Sequence, residues 1–227
     1  MVVYSPPAPT KPKRRVVYFS SGSGIGELSN FAYLEEPLQY KGLEYNSSEH
    51  CYMAMRVVRK HRYRLAVGGD LSDLTDASVS AVYGISDAQQ VAKKRKYWSA
   101  KGTRPAMPGI IAKLATKPSV AARLQLELKK GWNEERRSEQ ELIDIFVPIL
   151  IAKYRANPKL KEVLINTGKD TLVEFSKSAV RDPSTSRWTG LVDKETGMLH
   201  GGNLQGRIHM IVRHMLRTEA NSGVEST

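Results

Sequence analysis

The sequence predicts an α+β fold: a single helix-rich domain with a small β-sheet. Three observations carry this. Apolar residues recur at helical spacing behind cap-like residues in several segments between residues 46 and 216. β-Branched and aromatic runs are few and short: Val16–Phe19, Leu38–Tyr40, Leu43–Tyr45 and Leu172–Phe175. No internal repeat and no strong boundary separates them, so helices and strands share one layered domain. Residues 16–217 form that domain, between a Pro-rich basic tail at 1–15 and a polar tail at 218–227.

The leader, from Pro6 to Arg15, reads as extended, mobile chain. Its P-x-x-P pattern also suits a docking partner. Val16–Phe19 is the first strand. Gly22, Gly24 and Gly26 follow; they either bring backbone N–H groups to a phosphate or form a flexible loop, and their spacing is not that of a dinucleotide fold. Leu38–Tyr40 and Leu43–Tyr45, around Lys41-Gly42, form a hairpin.

That hairpin leads into the stretch around which the chain is organised, Asn46–Arg56. Asn46 is the predicted cap, with Glu49 three residues later as in a capping box. Cys51, Ala54, Met55 and Val58 make a buried stripe, and Glu49, Tyr52 and Arg56, at i, i+3 and i+7, share a neighbouring face. Glu49 is then either a plain cap or an anionic group aimed into a site. The helix is expected to continue through the basic run 56–64, and 68–85 to be an irregular insertion.

A capping box at Ser86–Gln89 opens a helix to about Tyr97 that carries Lys93–Lys96. Gly102–Gly109 is a loop, 110–115 a short helix, and Pro118–Lys130 a helix stopped by Gly131. Ser138–Glu141 caps a helix with Leu142, Ile145, Phe146, Ile149 and Ala152 inward and a kink at Pro148. Lys159–Ile165 is helical and ends at Gly168. A strand follows at Leu172–Phe175, then a polar loop over 178–190 holding Asp182 and Trp188. The last helix, Arg207–Leu216, has Ile208, Ile211, Val212 and Met215 inward.

Charge narrows the partners. With 35 Lys and Arg against 23 Asp and Glu, the chain carries +12, which favours an anionic ligand: nucleic acid, a nucleotide or an acidic membrane face. The basic runs 56–64 and 93–96 are the candidate nucleic-acid contacts, or else solvated faces. The single cysteine, Cys51, excludes an internal disulfide framework and fits a reducing, cytoplasmic setting. No run of 18 apolar residues marks a membrane span, and the N-terminus has no apolar signal region.

None of the five histidines pairs with a carboxylate at metal-ligand spacing, and neither a nucleophile elbow nor a P-loop is present. What remains is two acids, Glu49 and Asp182, loop tryptophans at Trp132 and Trp188, and basic surroundings. These suit cleavage of an N-glycosidic bond. A carboxylate stabilises the oxocarbenium-like ribose and orients water, aromatic rings grip the base, and cations grip phosphate. Neither a metal nor a redox cofactor is called for. A non-catalytic ADP-ribose or nucleic-acid reader would use the same groups.

Several motifs in order resemble the NADAR (YbiA-like) family: Leu28-Ser29-Asn30-Phe31, Ser48-Glu49-His50 with Tyr52 and Ala54, and Gly131-Trp132-Asn133. Ile151-Ala152-Lys153-Tyr154 with Asn157, Leu164–Gly168 and Leu172-Val173-Glu174 continue the match. Asp182 with Trp188 and Gly190, then Gly202-Asn203 with Gly206, Met210 and Val212-Arg213, complete it. The resemblance implies a YbiA-like fold and N-glycosidase activity, without a cofactor. Its substrates are ADP-ribosylated guanine in nucleic acid or phosphorylated ribosylaminopyrimidine intermediates of riboflavin synthesis. By the same resemblance Glu49 is the catalytic carboxylate, Asp182 the second acid, and Trp132 and Trp188 an aromatic clamp. Asn30, Lys153 and Asn203 are polar site groups, and Arg56 stands where the family has lysine.

Overall fold

A computed structural model describes residues 7–20, 23–73, 75–100, 107–132, 137–176 and 186–222. The fold class is α+β, as expected. The strands are β1 (Val16–Ser20), β2 (Ser23–Gly24), β3 (Leu38–Tyr40), β4 (Leu43–Tyr45), β5 (Thr171–Glu174), β6 (Leu191–Val192) and β7 (Leu199–His200). The helices are α1 (Ser48–Met55), α2 (Asp76–Tyr83), α3 (Ala88–Ala100), α4 (Met107–Ala115), α5 (Pro118–Arg123), α6 (Glu139–Ala156), α7 (Pro158–Asn166) and α8 (Leu204–Ser222). The chain packs as two compact units. One is Met1–Ser29 with Asn133–Tyr154 and Pro158–Thr227; the other is Asn30–Trp132 with Arg155–Asn157. Among the described residues no helix is long and apolar enough to cross a membrane.

The first unit is built on a three-stranded sheet of order β2-β1-β5. β1 pairs in parallel with β5, Val17 opposite Leu172 and Phe19 opposite Glu174. α8 lies against β5, and its first turn is held close by Gly206, where a Cβ would stand 2.1 Å from the Leu172 carbonyl oxygen. That contact selects the buried row Leu204, Ile208, Val212 and Leu216, four residues apart. Ile211 and Met215, expected inward, are exposed, because the face that Gly206 brings against β5 is the Leu204–Leu216 row and they lie off it.

α6 begins with the expected box: the Glu141 N–H donates to Ser138 Oγ at 3.1 Å and the Ser138 N–H to Glu141 Oε2 at 2.8 Å. It runs on past Pro148 to Ala156. The leader is not wholly free. Thr10 exchanges backbone hydrogen bonds with Leu199, at 3.2 and 2.7 Å.

In the second unit the β3–β4 hairpin turns at Lys41 and Gly42, with φ of +54° and +78°. A two-residue turn of that hand matches the strand twist, and the second position favours glycine. The helix after it departs from expectation. All eight residues of α1 are buried, so it is a central helix and not an amphipathic one. Its cap is Ser47, whose Oγ accepts the His50 N–H at 3.1 Å; Asn46 lies one residue outside.

α1 stops at Met55 because Val57 turns extended and bridges Leu128. α5 ends at Arg123, short of the expected Lys130, in a local cap: Gln125 turns left-handed at φ +55°, and the Leu126 and Gln125 N–H groups donate to the Ala121 and Ala122 carbonyls at 2.8 and 3.1 Å. The basic run continues as a separate 3-10 turn over Arg59–Arg64. The supposed insertion 68–85 contains α2, opened by a reciprocal Thr75–Ser78 box. Asp87 caps α3, accepting from the Gln90 N–H at 2.7 Å. α4 begins at Met107, inside the expected loop.

Candidate functional site

Glu49 occupies the first turn of α1, at the positive end of the helix dipole, which favours an anion. Its backbone N–H donates to the Asn30 carbonyl at 2.8 Å, which fastens the Asn30-Phe31 segment to the helix start. Asn30 is buried. The carboxylate is not a cap. It is 5% exposed as a residue, and Oε1 lies 3.2 Å from Lys113 Nζ on α4. The same ammonium sits 5.2 Å from the centroid of the Phe31 ring. A Cβ at Gly109 would come within 3.1 Å of Ser47 Oγ, 3.2 Å of Glu49 Cβ and 3.3 Å of Phe31 Cδ1. Glycine there lets the start of α4 close on the carboxylate, and Lys113 follows one helical turn later.

Tyr52 is the next side chain along this face, about 4.5 Å of helix rise from Glu49, and it is buried. Its ring packs on Trp132, with centroids 5.9 Å apart and planes tilted by 54°. Trp132 reaches α1 through the bridge described above. The Lys129 N–H donates to the Arg56 carbonyl at 2.9 Å, and the chain turns through Gly131 at φ +71°. Lys129 Nζ lies 4.9 Å from the Trp132 ring centroid. Arg56 ends α1 half-buried, with Nη1 3.6 Å from Met53 Sδ. The structure therefore gathers Asn30, Glu49, Arg56 and Trp132 along one helix and its two flanking segments.

The remaining predicted residues belong to the other unit or fall outside the described residues. Asp182 lies outside them. Trp188 is half-buried, edge-on to Phe146 with centroids 5.2 Å apart. Lys153 is fully buried on α6, and Nζ donates to the Glu27 and Ser29 carbonyls at 2.9 and 3.0 Å. Burial lowers its pKa to about 7, against a small opposing pull from Glu27. Asn203 begins α8 at φ +43° and binds β5 with both ends of its amide. Nδ2 donates to the Leu172 carbonyl at 2.8 Å, and Oδ1 accepts the Glu174 N–H at 3.1 Å. Lys153 and Asn203 thus hold backbone in place.

His50 and the basic run also hold structure. His50 is structural: Nδ1 accepts the Asn46 N–H at 3.2 Å, the other ring nitrogen binds the Leu65 carbonyl, and burial lowers its pKa to about 4. In the basic run, Arg62 is buried on the Val57 carbonyl, Arg64 pairs with Asp70, and Lys60 with Glu127. On α3, Lys93, Lys94, Arg95, Lys96 and Tyr97 are exposed, with Arg95 paired to Asp76 at 2.9 Å and Lys94 Nζ 5.1 Å from the Tyr83 ring centroid. Among the described residues, no three His, Cys, Asp or Glu side chains are gathered to hold a metal. Sequence reasoning missed Lys113 and Gly109. The only local signal was their four-residue spacing on one helix face, which does not name the partner helix.

The fold is similar to that of the E. coli protein YbiA, solved by NMR. The match covers 97% of this chain and 95% of that one, with a TM-score of 0.51 and 19% identity. No family model matches the sequence, and no curated protein matches it. The likeness establishes a YbiA-like α+β fold.

Proposed function

We propose that the protein is an N-glycosidase that hydrolyses the bond between a ribose C1′ and a base nitrogen. The observation that carries this reading is the buried Glu49 carboxylate beside a cation, one helical turn from the Tyr52–Trp132 pair. A carboxylate in that setting stabilises positive charge developing on the ribose and accepts a proton from water. The water oxygen bonds to C1′ as the C1′–N bond breaks. The bonding pair leaves on the base nitrogen, which takes up a proton, while the water's proton passes through Glu49 to solvent. Trp132 supplies a stacking face for the base, and Arg56 a cation for phosphate.

For the substrate we favour ADP-ribosyl-guanine in nucleic acid or nucleotide. Support comes from the +12 charge and from α3, whose basic residues are exposed from Lys93 to Lys96. The alternative is a phosphorylated ribosylaminopyrimidine, as the motif resemblance implies. The test is product analysis by mass spectrometry with wild type and Glu49→Gln on both substrates. ADP-ribose released from modified DNA, and lost at least 100-fold in Glu49→Gln, is the expected result. Ribose 5-phosphate from the small substrate would move the assignment to metabolite clearance. Full activity of Glu49→Gln would refute the mechanism. Saturable, salt-dependent binding without product would make the protein a reader.

A further inference from the structure

The net charge is not spread evenly along the chain. The unit made of Asn30–Trp132 and Arg155–Asn157 has 18 Lys and Arg against 9 Asp and Glu, so it carries +9 of the chain's +12. Much of that charge is engaged within the fold. In the run 56–64, Arg62 is buried on the Val57 carbonyl, Arg64 pairs with Asp70, and Lys60 pairs with Glu127. α3 divides its four cations by face. Val91 is buried and anchors the helix, which packs on α2. Three and four residues on, Lys94 lies against Tyr83 and Arg95 pairs with Asp76, both on α2. At about 100° per residue, Lys93 and Lys96 project within about 40° of the direction opposite Val91. Both are exposed, and neither has an ion-pair partner among the described residues. Tyr97, 50% exposed, borders the same face.

The two lysines stand about 4.5 Å apart along the helix axis. Their flexible stems therefore reach neighbouring phosphates of one strand. A membrane surface needs a broad apolar face beside the cations; here the apolar anchor, Val91, is on the opposite, buried side. We propose that the face of α3 presenting Lys93 and Lys96 is a docking surface for single-stranded nucleic acid. The two ammonium groups hold backbone phosphates, and Tyr97 offers its ring to an unpaired base. The inference names a partner for the proposed glycosidase but does not rest on catalysis, because docking here needs neither Glu49 nor turnover.

The test is fluorescence anisotropy of the full chain with a fluorescein-labelled DNA strand of mixed sequence, about 20 nucleotides long, over about 50–200 mM KCl. It compares wild type with Lys93→Gln/Lys96→Gln and with Lys94→Gln/Arg95→Gln, which removes the same charge from the α2 side of the same helix. Losing two phosphate contacts should reduce the slope of log K against log salt by about 1.4 and weaken binding about 25-fold at about 0.1 M salt. The Lys94/Arg95 variant should keep most of the slope and bind within about threefold of wild type. Tyr97→Ala should weaken binding about tenfold with the slope unchanged. Equal losses in the two double variants would overturn the proposal, since the strand would then sense net charge and not this face. So would an absence of saturable binding by wild type at the lowest salt, or binding to phosphatidylcholine–phosphatidylserine vesicles and not to DNA. If Lys93→Gln/Lys96→Gln loses the strand while Glu49→Gln stays fully active, the docking surface stands and the glycosidase reading is what fails.

Discussion

Replacing Asn203 by alanine separates a backbone clamp from a substrate contact. The residue is 2% exposed and joins the start of α8 to β5 through two side-chain hydrogen bonds. Alanine leaves the Leu172 carbonyl and the Glu174 N–H without those partners, at about 1–3 kcal/mol each. It also places a residue less tolerant than asparagine at φ +43°, costing about 1 kcal/mol more. Because the losses share one site and do not add fully, a total near 4 kcal/mol is expected. For a chain of this size that lowers Tm by roughly 10 °C, read by circular dichroism melts and urea unfolding. Asn203→Gly removes the same bonds but tolerates the left-handed backbone, so it should recover about 1 kcal/mol in folded-state strain, less the added chain entropy of glycine. A melt within about 2 °C of wild type, with KM raised instead, would refute the clamp and return Asn203 to the substrate.

Two further predictions follow from the structure. Trp132→Ala should raise KM or Kd about 10–100-fold, the scale of one lost base stack, with kcat largely kept; a fall in kcat at constant KM would argue against stacking. Acid should destabilise the protein through its buried histidines. Burial lowers the pKa of His50 to about 4, and burial with the nearby Lys153 charge lowers that of His209 to about 3, both from 6.5. The unfolded chain takes up protons below pH 6.5 while the folded chain resists until about pH 4. Stability present above pH 6.5 is therefore lost as pH falls. Urea unfolding at pH 7 and pH 5 should differ by on the order of 2 kcal/mol per histidine, and His50→Asn should remove roughly half of the difference. Equal stability at the two pH values would refute the account.

Local chemistry determined much of the molecule from sequence alone. The Lys41-Gly42 hairpin, the Ser138–Glu141 cap, the placement of Glu49 in a first helical turn and its alignment with Tyr52 all depend on residues within a few positions of one another. Short-range hydrogen bonds and helical spacing are legible in one chain. What the tertiary structure alone decided involves partners distant in sequence. Val57 bridges Leu128, so the first expected helix ends early and Trp132 is delivered to Tyr52. β1 finds β5, and α8 turns the row from Leu204 to Leu216 inward because Gly206 meets the Leu172 carbonyl. Lys113 meets Glu49 because Gly109 lets α4 approach. The periodicity of a helix fixes which residues share a face; the element packed against that face fixes what those residues do.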